Sequence, residues 1–127
     1  MIYYFSATGN NQYVARQVAE HIGDEIKSIS ECMDEKDYSL CTSDRRHIGF
    51  VVPTYAWGLP DIVKRFFSKV SLHNKKAYIF FIATYGTTPG FIDNAAKKIL
   101  KKTVSTLTLI MMYRCLIPGL QLLTFLI

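Results

Sequence analysis

Ser6, Thr8, Asn10 and Asn11 set four neutral hydrogen-bonding side chains within six residues, with Ala7 and Gly9 between them. They stand between an apolar run, Ile2-Tyr3-Tyr4-Phe5, and an amphipathic stretch that starts at Gln12. At a strand-to-helix junction the first backbone N–H groups of the helix point into the loop. Together with the helix dipole they form a ready site for an anion. Gly9 lets the backbone come close to whatever occupies the loop. No Lys or Arg lies in this segment, so the anion expected is a phosphate held by neutral donors, unlike that of a lysine-bearing P-loop. The same residues also suit a plain N-capped helix start, and the loop alone does not separate the two readings.

Other chemistry is thinly represented. No nucleophile–base pair or paired carboxylate stands out, so hydrolytic or group-transfer catalysis has no visible machinery. Cys32, Cys41 and Cys115 form no C-x-x-C pair and no metal-ligand spacing. A sparse, odd cysteine count suits a reducing cytoplasm. His21, His47 and His73 fall at a helix end, a strand start and a loop, where ordinary surface histidines are expected. The formal charge of +5 is spread along the chain, with short clusters at Arg45-Arg46, Lys75-Lys76, Lys97-Lys98 and Lys101-Lys102. None is long enough to read as a nucleic-acid arm; a solvated basic face suits an acidic partner protein better. Met1 leads straight into the first apolar run, without the basic region and long apolar core of a signal peptide.

The elements that would carry the loop alternate in type. The 127 residues, half of them apolar, suffice for a single domain with one core. Residues 1–6 read as a buried strand. Val14, Ala15, Val18, Ala19 and Ile22 recur at helical spacing, Gly23-Asp24 ends that helix, and Glu25 to Ile29 forms a short strand. Residues 31–46 read as loop with at most a helical turn. Ile48 to Val52, closed by Pro53, is a second buried run. Ile62, Val63, Phe66, Phe67 and Val70 stripe a helix, and Ala77 to Ala83 is a further strand ended by the turn-rich Thr84 to Gly90. Phe91, Ala95, Ile99 and Leu100 give another amphipathic helix, with its lysines on the wet side and in the last turn. Near-continuous apolar strands alternating with helices predict a parallel sheet covered on both faces.

Phe5-Ser6-Ala7-Thr8-Gly9-Asn10 resembles the FMN-phosphate signature of the flavodoxin-like family. The chain is most similar to the flavodoxin-like domain that precedes a two-cluster (4Fe-4S) ferredoxin domain in some anaerobe proteins. Val52-Pro53-Thr54-Tyr55-Ala56-Trp57-Gly58-Leu59-Pro60 and Ala83-Thr84-Tyr85-Gly86-Thr87-Thr88-Pro89-Gly90 extend the resemblance, which runs from Met1 to about Lys102. All three segments follow expected strands, at the carboxyl ends where open α/β sheets bind ligands. The resemblance implies a phosphate held by Ser6, Ala7, Thr8, Gly9, Asn10 and Asn11. It places Tyr55, Ala56, Trp57 and Gly58 beside the reactive edge of the flavin, counts Pro53 and Thr54 among the cofactor-binding residues, and sets Thr84, Tyr85 and Gly86 at the pyrimidine end through their backbone N–H groups. Tyr55, Trp57 and Tyr85 would frame the flat, amphipathic ring. A peptide flip at Gly58 would offer a carbonyl to the reduced ring and tune its potential. Asn11 departs from the family, which usually carries Thr or Ser there, although an amide still donates a hydrogen bond.

From Thr103 to Ile127 the character changes, with Arg114 the only charge. Thr106 to Met112 can supply a fifth strand, but Pro118-Gly119 breaks any closing helix early. Three readings of this segment stay open: a membrane-associated tail, an apolar segment packed on the sheet or on a second copy as a homodimer, and a product of out-of-frame translation. Arg114, Pro118 and Gly119 weigh against a membrane span. No C-x-x-C-x-x-C run follows, so the ferredoxin part of the longer relatives is not expected. The expectation is therefore one flavodoxin-like domain over 1–127, family-like over 1–102 and with an atypical apolar tail over 103–127. Its strand order would be 2-1-3-4-5, with FMN at the switch point between the first and third strands. The implied role is cytoplasmic electron transport between redox partner proteins, ferredoxin-type or acidic, with no nucleic acid and no catalytic residue of its own. The alternatives are an NAD(P)H-dependent FMN or quinone reductase on the same fold, and a truncated or frameshifted remnant that binds no flavin.

Overall fold

The computed structural model describes residues 1–7, 9–40, 47–54, 58–70, 78–85, 92–103 and 109–114. In chain order they form β1 (Ile2–Tyr4), α1 (Asn10–Ile22), β2 (Ile26–Ser28), α2 (Ile29–Glu35), β3 (His47–Pro53), α3 (Asp61–Lys69), β4 (Tyr78–Tyr85), α4 (Ile92–Thr103) and β5 (Leu109–Arg114). The strands make one parallel sheet in the order β2-β1-β3-β4-β5. That is the doubly wound arrangement expected. The order reverses between β1 and β3, so their carboxyl ends flank a switch point.

The pleat sorts the strand residues onto two covered faces. Tyr3, Ile48, Phe50, Val52, Ile79, Phe81 and Ala83 share one core with Ile29 and Cys32 of α2, Val63, Phe66 and Phe67 of α3, and Ala96 of α4. Ile2, Val51, Phe80 and Ile82 face the other way, onto Ala15 and Ala19 of α1. Small residues on the buried stripe of α1 let the helix lie close to the sheet. The larger core is aromatic: the Phe50 and Phe67 ring centroids lie 4.8 Å apart, and Tyr3 stacks on Phe50 at 5.8 Å. Gly49 lies opposite Phe80 in the β3–β4 ladder. A Cβ on Gly49 would stand 2.3 Å from the tip of the Phe80 ring, which occupies the space over the glycine.

Three elements depart from the sequence expectation. Residues 29–35 form a helix, not a loop, because Ile29 and Cys32 (i, i+3) are buried, with Met33 packed against the same core. Just under two turns among acidic residues leave too short a pattern to read as periodic. Strand β4 runs on through Thr84 and Tyr85, which were expected to open a turn. Thr84 pairs with Pro53 of β3, and Tyr85 with Arg114 of β5, which keeps both in the sheet. Strand β5 covers 109–114 in place of 106–112, paired with β4 from Phe80↔Leu109 to Tyr85↔Arg114.

The readings made for 115–127 lie outside the described residues, as do His73, Cys41 and Cys115. Among the described residues no helix is long and apolar enough to cross a membrane. His21 is exposed at the end of α1. His47 is half-buried, its ring edge-on to Tyr78 at 5.9 Å. The shifts in acidity cluster on β2, α2 and the turn that follows α2. The hydrogen bond from Lys27 holds Asp37 below the ordinary carboxylate range, the same bond raises Lys27, and burial pushes the Cys32 thiol up.

Candidate functional site

The loop from Ser6 to Gly9 leaves β1 and enters α1 at the carboxyl edge of the sheet. Gly9 caps the helix with φ 88°, a left-handed conformation that costs an L-residue strain and glycine almost none. A Cβ built on it would meet nothing within 4 Å, so Gly9 serves the turn's backbone and faces open space. The N–H groups of Gly9 and Asn11 both donate to Ser6 Oγ, at 2.9 and 3.2 Å. A hydroxyl oxygen that accepts two N–H bonds is left to present its own proton outward as a donor. Ala7, Gly9 and Asn10 are exposed, and the first turn of α1 carries no acidic residue to repel an anion.

Asn11 takes a different place from its sequence neighbours. It and Thr84 are the buried polar residues among the described ones, at 3% and 7% exposure. The Thr84 hydroxyl donates to Asn11 Oδ1 at 2.6 Å, and Asn11 Nδ2 donates to the Phe5 carbonyl at 3.0 Å. The amide that was expected to reach a phosphate is thus turned into the molecule. Only its backbone N–H faces the loop.

The other strand ends meet the same group. The backbone N–H of Thr54, just past β3, donates to the Thr84 carbonyl at 2.8 Å. Thr54 Oγ1 is buried with no hydrogen-bond partner among the described residues, an orphaned donor at the mouth of the switch point. Pro53 ends β3 half-buried, Gly58 is half-buried ahead of the core residue Leu59, and Tyr85 is half-buried at the end of β4. The structure therefore brings Ser6, Gly9, Asn11, Thr54 and Thr84 to one edge of the sheet. Thr8, Tyr55, Ala56, Trp57 and Gly86 lie outside the described residues.

Sequence reasoning missed the Asn11–Thr84 bond. The partners are 73 positions apart. The only trace in the chain is an amide at the loop position where the resembling family has a hydroxyl.

A parallel sheet of order 2-1-3-4-5, with an open glycine-turned loop of neutral donors at its switch point, defines a doubly wound α/β protein whose candidate ligand site lies at the carboxyl ends of its strands. The model of the family described as "Flavodoxin domain" matches residues 1–115. The chain belongs to that family. The match extends past Lys102, where the sequence resemblance was expected to end, and takes in β5. Among curated proteins no match is found.

Solved structures agree on the fold. The two-electron reduced flavodoxin of Megasphaera elsdenii superimposes with a TM-score of 0.66 at 19% identity, over 94% of this chain and 89% of that one. The Trp repressor binding protein of Bacillus subtilis gives 0.66 at 15% identity, over 94% and 87%. A flavoprotein of Lactobacillus acidophilus in complex with FMN gives 0.58 at 13% identity, over 89% and 90%. Membership of the flavodoxin-domain family supports a flavin-binding role; the solved structures show the shared fold.

Proposed function

We propose that this chain binds FMN at the carboxyl edge of β1 and β3 and works as a cytoplasmic electron carrier between redox proteins. The observation that carries the reading is the donor set. The Ser6 hydroxyl is fixed by the N–H groups of Gly9 and Asn11, and the orphaned Thr54 hydroxyl is buried beside the same strand ends. Neutral hydroxyls and backbone N–H groups at a helix N-terminus fit a phosphate monoester. Ser6 and the loop N–H groups would hold the phosphate, with Thr8 and Asn10 as further donors, and Thr54 offers its hydroxyl from the β3 side. Tyr55, Trp57 and Tyr85 remain the proposed walls of the ring. Bound FMN supplies one- and two-electron chemistry. The chain's own contribution is to bind it, orient it and keep water from one side. The finer kinship to ferredoxin-linked flavodoxin domains belongs to this proposal too, and suits the basic charge of +5 as a docking face for acidic redox proteins.

Titrating the purified protein into FMN while recording flavin fluorescence and the visible spectrum tests the assignment. Quenching with a shifted flavin band is expected; an unchanged spectrum at saturating protein overturns it. Stopped-flow mixing of the FMN form with NADH and NADPH tests the carrier role, and rapid reduction by either would make the protein a reductase.

A further inference from the structure

We infer that Asn11 and Thr84 form a clasp that positions the phosphate loop from β4, so phosphate recognition depends on a side chain outside the loop. This rests on the FMN reading above and adds a positioning pair to it.

The bonds run in one direction. The Thr84 hydroxyl donates to Asn11 Oδ1, and Asn11 Nδ2 donates to the Phe5 carbonyl at the root of the loop. The backbone N–H of the same Asn11 donates to Ser6 Oγ, which also holds the N–H of Gly9. Thr84 is fixed in turn, because its carbonyl accepts the Thr54 N–H and its backbone lies in the β3–β4 ladder. The clasp therefore ties the exposed entry to α1, with its left-handed turn at Gly9, to the carboxyl end of β4. Both partners are more than nine-tenths buried, where a hydrogen bond is poorly replaced by water and its loss is felt. Asn11 needs its full amide: one end receives Thr84 while the other reaches Phe5. A Thr or Ser at position 11 has a single polar atom to make the two contacts, so the amide and Thr84 act as one unit.

The test separates phosphate binding from ring binding, since riboflavin lacks the phosphate. Dissociation constants for FMN and riboflavin are measured on wild type, Thr84→Val and Thr84→Ser, with far-UV circular dichroism confirming the fold. Thr84→Val keeps the shape and the backbone groups and removes the side-chain donor; it should weaken FMN about tenfold more than it weakens riboflavin. Thr84→Ser keeps the donor and should restore the wild-type FMN-to-riboflavin ratio. If Thr84→Val does not fold, Thr84→Ala carries the same expectation. Equal weakening of both flavins, or of neither, overturns the clasp and leaves the FMN reading standing. A wild-type chain that binds neither flavin overturns both.

Discussion

Gly9 and Ser6 divide one task between them. The glycine turns the backbone at φ 88° so that its N–H and that of Asn11 converge on the serine oxygen, and an oxygen that accepts both still has its own proton to donate. A side chain at position 9 would find room, since nothing stands within 4 Å of a Cβ there, but not a relaxed backbone. Gly9→Ala is therefore expected to destabilise the fold by about 1–2 kcal/mol, the cost of a left-handed L-residue, read as a lower urea midpoint at unchanged slope. FMN affinity should fall with it, because relief of the strain pulls the N–H groups off Ser6. Retained stability would show that the loop relaxes without the glycine. At Asp37 the effect is smaller and depends on pH. Its folded-state acidity is shifted below the ordinary value by the hydrogen bond from Lys27. Its contribution is complete above the unfolded carboxylate pKa of about 4 and is lost as the pH falls through the folded value. Solvent screens this half-open pair, so Asp37→Asn should cost under about 1 kcal/mol at neutral pH. In urea melts the difference from wild type should vanish at acid pH.

Elements hold these residues through packing on both faces of the sheet. Helix α1 meets β1 and β3 with Ala15 and Ala19, and this close seat sets where its N-terminus opens. The neighbouring ladder has its own tight fit, Phe80 lying over Gly49. Gly49→Ala would place a methyl group inside the space of the ring, so Phe80 must swing or the strands must part. A loss of about 1–3 kcal/mol is expected, as for other overpacked cores, measured by denaturant unfolding. The double substitution Gly49→Ala with Phe80→Leu should recover part of it. If the single change is neutral, the ring is free to move and the packing is looser than described. Helix α2 shows the limit of pattern reading: two buried positions, Ile29 and Cys32, suffice to seat a helix once a sheet lies beneath it. From the sequence alone they are two apolar residues in a polar stretch.

At the scale of the whole molecule, the proposed ligand would be linked to the fold. A flavin that binds only the folded chain adds stability by mass action, about 2.7 kcal/mol at a free concentration one hundred times its dissociation constant. FMN should therefore raise the melting temperature more than riboflavin at equal concentration, and dialysis should reverse the rise; no shift with saturating FMN would count against the site. The sequence by itself determined the class of this protein: apolar strand runs alternating with helical stripes admit little but a covered parallel sheet, and Ser6 to Asn11 marks its first crossover as a candidate anion loop. It determined the candidate donors as well, because hydroxyls, amides and a glycine between strand and helix state their chemistry locally. Only the tertiary structure decided how those donors are used. It turned the Asn11 side chain inward, since a buried amide must find partners and Phe5 and Thr84 supply them. It extended β4 through Tyr85, because pairing of Thr84 with β3 and of both residues with β5 outweighs the turn tendency of the residues that follow. Hydrogen bonds between positions 73 apart come into being when β1, β3 and β4 align their carboxyl ends, and no local pattern records them.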